Sequence, residues 1–155
     1  MKAIFVESCN GYLARGENDD MSWTPELDKK IFKLLTFACG GVYVCSPHTF
    51  GLLPEKMRMD KNRMFLVAKR SGDMSLRNLN YDFPNAILVG GPVFLQAAYD
   101  VGVIDTFVIT TVKQKIIADE RYKNPFSKIL PQPSATIPFD DMTVRIYNKV
   151  WSWSR

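Results

Sequence analysis

Short apolar runs, rich in β-branched and aromatic residues, alternate with polar and helix-forming stretches along the chain. Five of these runs predict buried strands, at residues 2–9, 42–45, 64–68, 86–89 and 106–113. In residues 142–151, Val144 and Ile146 alternate with Arg145 and Tyr147, which predicts a half-buried antiparallel strand. The alternation predicts an α/β fold with a mainly parallel central sheet and an antiparallel C-terminal edge, flanked by helices.

A helix is predicted to begin near residue 25. Thr24 suits the N-cap, Pro25 suits the first helical position, and Glu26 favours the positive end of the helix dipole. Apolar residues then recur three or four positions apart, and the core-facing stripe that they predict comprises Leu27, Ile31 and either Leu34 or Leu35.

Asp28 and Phe32, also four residues apart, form a second stripe beside the first. This arrangement places one carboxylate among apolar neighbours, and two interpretations are open. Asp28 is either a solvated surface acid, since exposed carboxylates are common on helices, or a functional acid held in an apolar setting.

The other segments predict a second helix, a polar loop and a coil. The helix covers residues 92–101, and its buried side is assigned to Phe94, Leu95, Ala97, Ala98 and Val101. Residues 15–22 are too charged for the core and predict an exposed loop of the kind that often serves as a mobile lid. Residues 124–138 contain four prolines and predict irregular coil.

Composition narrows the class of protein. With 155 residues, 46% hydrophobic and 23% charged, the chain suits a single domain that covers residues 1–155. The N terminus does not resemble a secretory signal and no run is long enough to span a membrane, so a cytoplasmic protein is expected. A monomer is also expected, with a structural partner left open. Three cysteines and one histidine predict free core thiols and no metal site. The net charge of +4 is scattered, which favours anionic small ligands over nucleic acid.

Five segments, in order, resemble the dihydrofolate reductase family. Trp23, Asp28, Phe32 and Thr36 have the spacing Trp-x4-Asp-x3-Phe-x3-Thr of the family's first helix. The other similar segments are residues 41–50, residues 63–70 with Arg63 thirteen residues after Phe50, residues 87–91 ending in Gly-Gly, and residues 104–110. The resemblance covers roughly residues 1–120 and implies the family's three-layer fold.

The resemblance implies an oxidoreductase that transfers a hydride from NADPH to 7,8-dihydrofolate and gives tetrahydrofolate. Asp28 would hold the amidine-like edge of the pterin and, with a raised pKa, help deliver a proton through a water. Thr110 would hydrogen-bond that carboxylate, Trp23 would position a water over the substrate, and Arg63 would pair with the α-carboxylate of the folate tail. The remaining implied substrate contacts are Val6, Leu27, Phe32 and Leu53.

Each of these residues also has a purely structural interpretation. In that interpretation, Thr110 would be an ordinary strand former and Trp23 an ordinary core aromatic. Arg63 would be a solvated residue at a strand end. The apolar residues Phe32 and Leu53 are equally suited to the core.

For the cofactor, Gly90 and Gly91 lie between an apolar strand and a helix, where a close backbone approach and a positive helix end suit a diphosphate. By resemblance, Lys69 and Arg70 would neutralise the 2′-phosphate of NADPH, and Thr49 would donate to a phosphate oxygen. The other implied cofactor contacts are Ala14, His48, Val89, Val93 and Phe94. NADH is the alternative cofactor.

Departures from the family pattern gather on the cofactor side. Pro47 stands where the family carries a cation for the 2′-phosphate, and Pro92 removes one amide from the phosphate cradle. Ser46 and Ala14 replace glycines, and either Phe94 or Leu95 replaces a tyrosine. Two alternatives therefore stand beside the reductase: a protein of the same fold that serves as a binding or structural module, and a riboflavin-pathway reductase, which does not require the Trp-x4-Asp-x3-Phe pattern.

Overall fold

The structure, a computed structural model, describes residues 1–148 of the chain. Seven strands form one sheet, and their bounds are β1 Lys2–Glu7, β2 Val42–Cys45, β3 Met64–Val67, β4 Ile87–Val89, β5 Thr106–Val112, β6 Ala135–Pro138 and β7 Met142–Asn148. They lie in the order β3, β2, β4, β1, β5, β7, β6. Strands β1 to β5 are parallel, whereas β7 is antiparallel to both β5 and β6. The predicted fold class, with its antiparallel C-terminal edge, is confirmed.

Helices cover both faces of this sheet and give three layers. Their bounds are α1 Glu26–Ala38, α2 Pro47–Leu52, α3 Glu55–Arg58, α4 Leu76–Asp82 and α5 Pro92–Asp100, and a 3₁₀ turn spans Glu120–Tyr122. Of the helices described, none is long and apolar enough to cross a membrane.

The strands alternate their side chains between two apolar clusters because neighbouring residues of a strand point to opposite faces. Val6 and Val108 belong to the cluster against which α1 packs through Ile31 and Leu35. The residues Ala3, Phe107 and Phe126 belong to the cluster on the other face, together with Leu79 of α4 and Leu95 and Ala98 of α5. Burial on both faces explains why these strands have nearly continuous apolar sequences.

The start of α1 differs from the prediction by one residue. The helix begins at Glu26, and Pro25 occupies the cap position with an extended backbone and no side-chain cap. The Thr24 hydroxyl does not cap the helix, because it donates to the carbonyl of Met21 at 2.8 Å. The predicted capping role of Thr24 is therefore wrong.

The core-facing stripe of α1 is also narrower than predicted. Ile31 and Leu35 pack in the core, but Leu27 is 39% exposed and Leu34 is 71% exposed. Leu27 lies one residue before Asp28, so its exposure leaves an apolar side chain beside the acid.

Residues 124–138 are not wholly irregular, because β6 lies at their end and pairs with β7. The coil prediction rested on four prolines, of which β6 contains only Pro138. An edge strand tolerates proline, since one of its sides has no partner strand. In the final strand, residues 149–151 of the predicted range lie outside the described residues.

Cys45 is buried as predicted, and burial raises the pKa of its thiol to about 11, but Cys9 is exposed. Within α5, Ala97 is exposed rather than buried.

Candidate active site

The carboxyl ends of the five parallel strands meet at one edge of the sheet, where ligands bind in open α/β sheets. Near this edge Val6 of β1 pairs with Thr110 of β5 in parallel register. Thr110 is buried, and its hydroxyl lies close enough to the carboxyl of Asp28 on α1 to lower the pKa of that acid. The fold therefore brings together three residues that are far apart in the sequence: Val6, Asp28 and Thr110.

The electrostatic setting of Asp28 is that of a partly buried acid. Burial raises its pKa above the ordinary value, while the Thr110 hydroxyl and the charge of Lys29 lower it, and burial has the larger effect. No described cation forms an ion pair with Asp28. A carboxyl of this kind can exchange a proton at a pH closer to neutrality than a solvated aspartate can.

Phe32 lies half-buried one helical turn after Asp28, with its ring 6.3 Å from the ring of Tyr43. The Tyr43 hydroxyl donates to the buried Thr36 hydroxyl at 2.6 Å and anchors this part of α1 to β2. Thr36, the fourth residue of the Trp-x4-Asp-x3-Phe-x3-Thr pattern, therefore helps to hold α1 against β2. Leu53 is half-buried directly after α2.

Arg63 precedes β3 and is largely withdrawn from solvent, with its side chain 12% exposed. Its guanidinium lies 5.5 Å from the centre of the Phe37 ring. The Nε atom is 3.4 Å from a carboxylate oxygen of Asp60 but makes no hydrogen bond with any described residue. A buried guanidinium that lacks hydrogen-bond acceptors is costly, and a ligand carboxylate would satisfy it. The structure therefore does not show the solvated strand end of the alternative interpretation.

Trp23 is buried in the cluster that also contains Val6. Its indole N–H donates to Asp19 at 2.9 Å. Because this single donor already has an acceptor, a water placed over a substrate would have to bind another group. Sequence reasoning missed Asp19, although the spacing of four residues from Arg15 to Asp19 and from Asp19 to Trp23 was visible.

A cleft of about 570 Å³ opens between the ends of β2 and β3 and the helices α4 and α5. Its walls carry three cations, Lys69, Arg70 and Arg77, together with Ser46, Ser71 and Ser75, and its other described lining residues are Pro47, Ala68, Leu76, Phe94, Ala97 and Val101. None of the three cations forms an ion pair within residues 1–148. We call this feature the basic cleft; its unpaired charges suit an anionic ligand.

Arg77 was not predicted as a site residue. It lies in the first turn of α4, where the helix dipole disfavours a cation. The sequence signal for Arg77 was its position directly after the Ser-Leu start of a helix. In the tertiary structure it lines the basic cleft together with Lys69, Arg70 and Pro47, so α4 contributes a positive charge to this cleft.

Apart from Phe94, the other predicted cofactor residues are not among the lining residues of the basic cleft. Thr49 is in α2, where its amide donates to the Ser46 hydroxyl oxygen at 3.2 Å and its own hydroxyl hydrogen stays available. Gly91 precedes α5, whose start has no side-chain cap. At Gly90 a Cβ would lie 2.6 Å from the Phe94 ring, so a larger residue would displace that ring. Leu95 is fully buried, which leaves Phe94 as the aromatic residue at the cleft. The remaining residues are Ala14 in the loop after β1, His48 in α2, Val89 at the end of β4 and the exposed Val93 in α5.

Comparison with known proteins identifies the fold. No protein-family model and no curated protein sequence matches the chain. Among solved structures, the chain is similar to dihydrofolate reductase from Enterococcus faecalis, solved in complex with NADP(H) and RAB-propyl, with a TM-score of 0.70. The match covers 96% of this chain and 95% of that one at 18% identity. The protein has the dihydrofolate reductase fold, and the low identity agrees with the predicted divergence.

Proposed function

We propose that the protein is an oxidoreductase that transfers a hydride from NADPH to 7,8-dihydrofolate. The observation that carries this proposal is the partly buried Asp28 near the carboxyl edge of the sheet. Burial raises the pKa of its carboxyl, and the Thr110 hydroxyl lies near it. The dihydrofolate reductase fold and the sequence pattern around Asp28 support the same reaction. The chain would supply tetrahydrofolate for one-carbon metabolism.

In this proposal Asp28 holds the amidine-like edge of the pterin through two hydrogen bonds, and Leu27 and Phe32 contact its apolar faces. A carboxyl with a raised pKa also serves as the source of the proton that accompanies reduction. Arg63 binds the carboxylate at the other end of the folate, because its guanidinium is largely buried over Phe37 and its Nε has no hydrogen-bond partner among the described residues beyond the ion pair with Asp60. Val6 and Leu53 are the remaining proposed contacts.

The cofactor is proposed to be NADPH, which supplies the hydride when it is bound. The three unpaired cations of the basic cleft fit the 2′-phosphate, and the uncapped start of α5 after Gly91 fits the diphosphate. NADP(H) was present in the similar structure from E. faecalis. NADH carries no 2′-phosphate and would leave the cations of this cleft unmatched.

The direct test is the oxidation of NADPH by the purified protein with and without 7,8-dihydrofolate. We expect oxidation that depends on both substrates and is inhibited by methotrexate, an antifolate with a pterin-like ring and a glutamate tail. Absence of turnover together with absence of methotrexate binding would refute the proposed function.

Arg77→Gln is expected to weaken NADPH binding by about tenfold or more, because a charge-assisted contact contributes about 1.5–3 kcal/mol. Binding of NADH should change by less than about twofold, since it lacks the phosphate that Arg77 would contact. Calorimetric titration with the two cofactors measures the difference.

A suitable control for Arg77 is Arg121→Gln. Arg121 is also an exposed arginine, but it lies on the 3₁₀ turn over Tyr122 and not in the basic cleft. The control should bind both cofactors like the unaltered protein. An equal loss of NADPH and NADH affinity in Arg77→Gln would contradict a phosphate-specific role.

A second candidate function is a folate-binding or structural module that has lost catalysis. Pro47 in the wall of the basic cleft favours it, because this residue offers neither a positive charge nor an amide donor. Binding of methotrexate without turnover of dihydrofolate would distinguish this module from the reductase. A single domain over residues 1–155, a monomeric state and a cytoplasmic location remain predictions.

A further inference from the structure

Asp19 is a charged residue in the predicted exposed loop, yet its side chain is only 2% exposed. Its two carboxylate oxygens accept five hydrogen bonds. The donors are the backbone amides of Arg15 and Met21, the Nε and Nη2 groups of Arg15, and the indole N–H of Trp23, at 2.6 to 3.2 Å. Asp19 is therefore the centre of a small hydrogen-bond network that also includes the partly exposed Arg15, rather than a solvated loop residue.

The charge of Asp19 is stabilised inside this network. Burial by itself raises the pKa of the carboxyl, but the hydrogen bonds from Arg15, Met21 and Trp23 outweigh it and hold the pKa below the ordinary value. Asp20 is the neighbouring acid, and it accepts from Arg15 at 2.7 Å and from the amide of Ser22 at 2.9 Å while staying exposed. The two acids share Arg15, but only Asp19 contacts Trp23.

The network continues into the helix that carries Asp28. The indole of Trp23 packs in the same cluster as Val6 and Ile31, and Ile31 lies in α1. The amide and the hydroxyl of Thr24 both donate to the carbonyl of Met21. Hydrogen bonds and core packing therefore hold the segment between Asp19 and the start of α1 in place.

Met21 lies in the middle of this segment with φ 60°, a left-handed conformation that is unfavourable for a residue with a side chain. Such a conformation persists only where the surroundings impose it. Here the Met21 amide donates to Asp19 and its carbonyl accepts from Thr24, so both sides of the residue are held.

We propose that Asp19 is a positioning residue, which fixes the Trp23 indole and the left-handed Met21 and thereby sets the start of α1 and the place of the Asp28 carboxyl. Asp19 acts through Trp23 and Met21 and contacts no ligand itself. The part of this inference that concerns ligand affinity rests on the proposed function. The part that concerns the Trp23 hydrogen bond does not.

The first test uses the unaltered protein and does not depend on any activity. The indole N–H of Trp23 is followed by nitrogen-15 NMR, with its signal assigned by comparison with Trp23→Phe. We expect slow exchange with solvent, because the proton is donated to a buried carboxylate. Exchange as fast as that of a free indole would overturn the proposal, and this readout needs no ligand.

The second test compares Asp19→Asn with its neighbour Asp20→Asn. In Asp19→Asn the carboxamide accepts fewer of the five hydrogen bonds, so the Trp23 N–H should exchange faster. Methotrexate, which would bind at Asp28, should bind about tenfold more weakly, since small displacements of a positioned group have effects of this size or larger. NADPH binding should change by less than about twofold. Asp20→Asn should leave all three readouts unchanged.

The third test is a rescue. Glycine adopts a left-handed conformation without strain, so Met21→Gly removes the need for Asp19 to impose it. We expect Asp19→Asn/Met21→Gly to regain part of the methotrexate affinity lost in Asp19→Asn.

The failures are distinguishable. If the unaltered protein binds no methotrexate, the proposed function fails while the indole exchange still tests Asp19. If methotrexate binds and Asp19→Asn alters neither its affinity nor the indole exchange, the role of Asp19 fails and the proposed function stands.

Discussion

Asp28→Asn is expected to lower the turnover of 7,8-dihydrofolate by about 100-fold to about 10,000-fold, the usual range for removal of a positioned acid or base. The asparagine has nearly the same shape, but it carries no ionisable proton and only one acceptor for the amidine-like edge of the pterin. The measurement is the steady-state oxidation of NADPH, with kcat and KM determined separately. NADPH affinity should be unchanged, since the basic cleft does not include Asp28.

The same substitution is expected to increase the free energy of unfolding at neutral pH. Burial raises the pKa of Asp28 in the folded protein, so the ionised form opposes folding above that pKa. Below the pKa of the unfolded chain this penalty is absent, because the carboxyl is protonated in both states. The gain from Asp28→Asn should therefore shrink as the pH is lowered. Urea denaturation across this pH range measures the gain in free energy of unfolding. If Asp28→Asn were less stable than the unaltered protein at neutral pH, the burial of an ionised Asp28 would not oppose folding.

Arg63→Met is expected to weaken the binding of dihydrofolate by about tenfold to about 100-fold. The guanidinium is largely buried, lies over Phe37 and has an Nε without a hydrogen-bond partner among the described residues. A bidentate contact with a ligand carboxylate contributes about 1.5–3 kcal/mol, which corresponds to this loss of affinity. Fluorescence titration with methotrexate and with a diaminopyrimidine inhibitor that has no carboxylate separates this effect from general disruption.

The diaminopyrimidine should bind Arg63→Met as well as it binds the unaltered protein, because it has no carboxylate for Arg63 to bind. Arg58→Met is the matched control, since Arg58 also lies 5.5 Å from an aromatic ring, that of Phe50, but is exposed. If Arg63→Met binds both inhibitors equally weakly, Arg63 supports the fold and does not recognise the carboxylate.

Under the proposed function, the two ligands would meet different sets of residues. Asp28, Phe32, Arg63 and Thr110 would supply the folate with an acid, a cation and a partly apolar wall. Compared with the family that the sequence resembles, Pro47 would leave α2 without a charge, and Arg77 of α4 would supply one to the same cleft. The cofactor test with Arg77→Gln shows whether that second charge compensates for the first.

The candidate site was predictable where its chemistry depends on local spacing. The Trp-x4-Asp-x3-Phe-x3-Thr pattern identified α1, and the apolar run that includes Thr110 identified β5. The location of Lys69 and Arg70 in the basic cleft also followed from their positions just after β3. By contrast, the local signals for Arg77 and Asp19 did not show what these residues contact, because the cleft around Arg77 and the burial of Asp19 arise only when the chain folds.

The sequence by itself determined the α/β class, five parallel strands and the acid on α1, because alternation, helical periodicity and spacing act over a few residues. Only the tertiary structure decided which charges are buried or unpaired, where β6 joins the sheet, and that Asp19 rather than water receives the Trp23 N–H. Burial and hydrogen-bond partners depend on segments that are brought together by folding, and no local pattern encodes them.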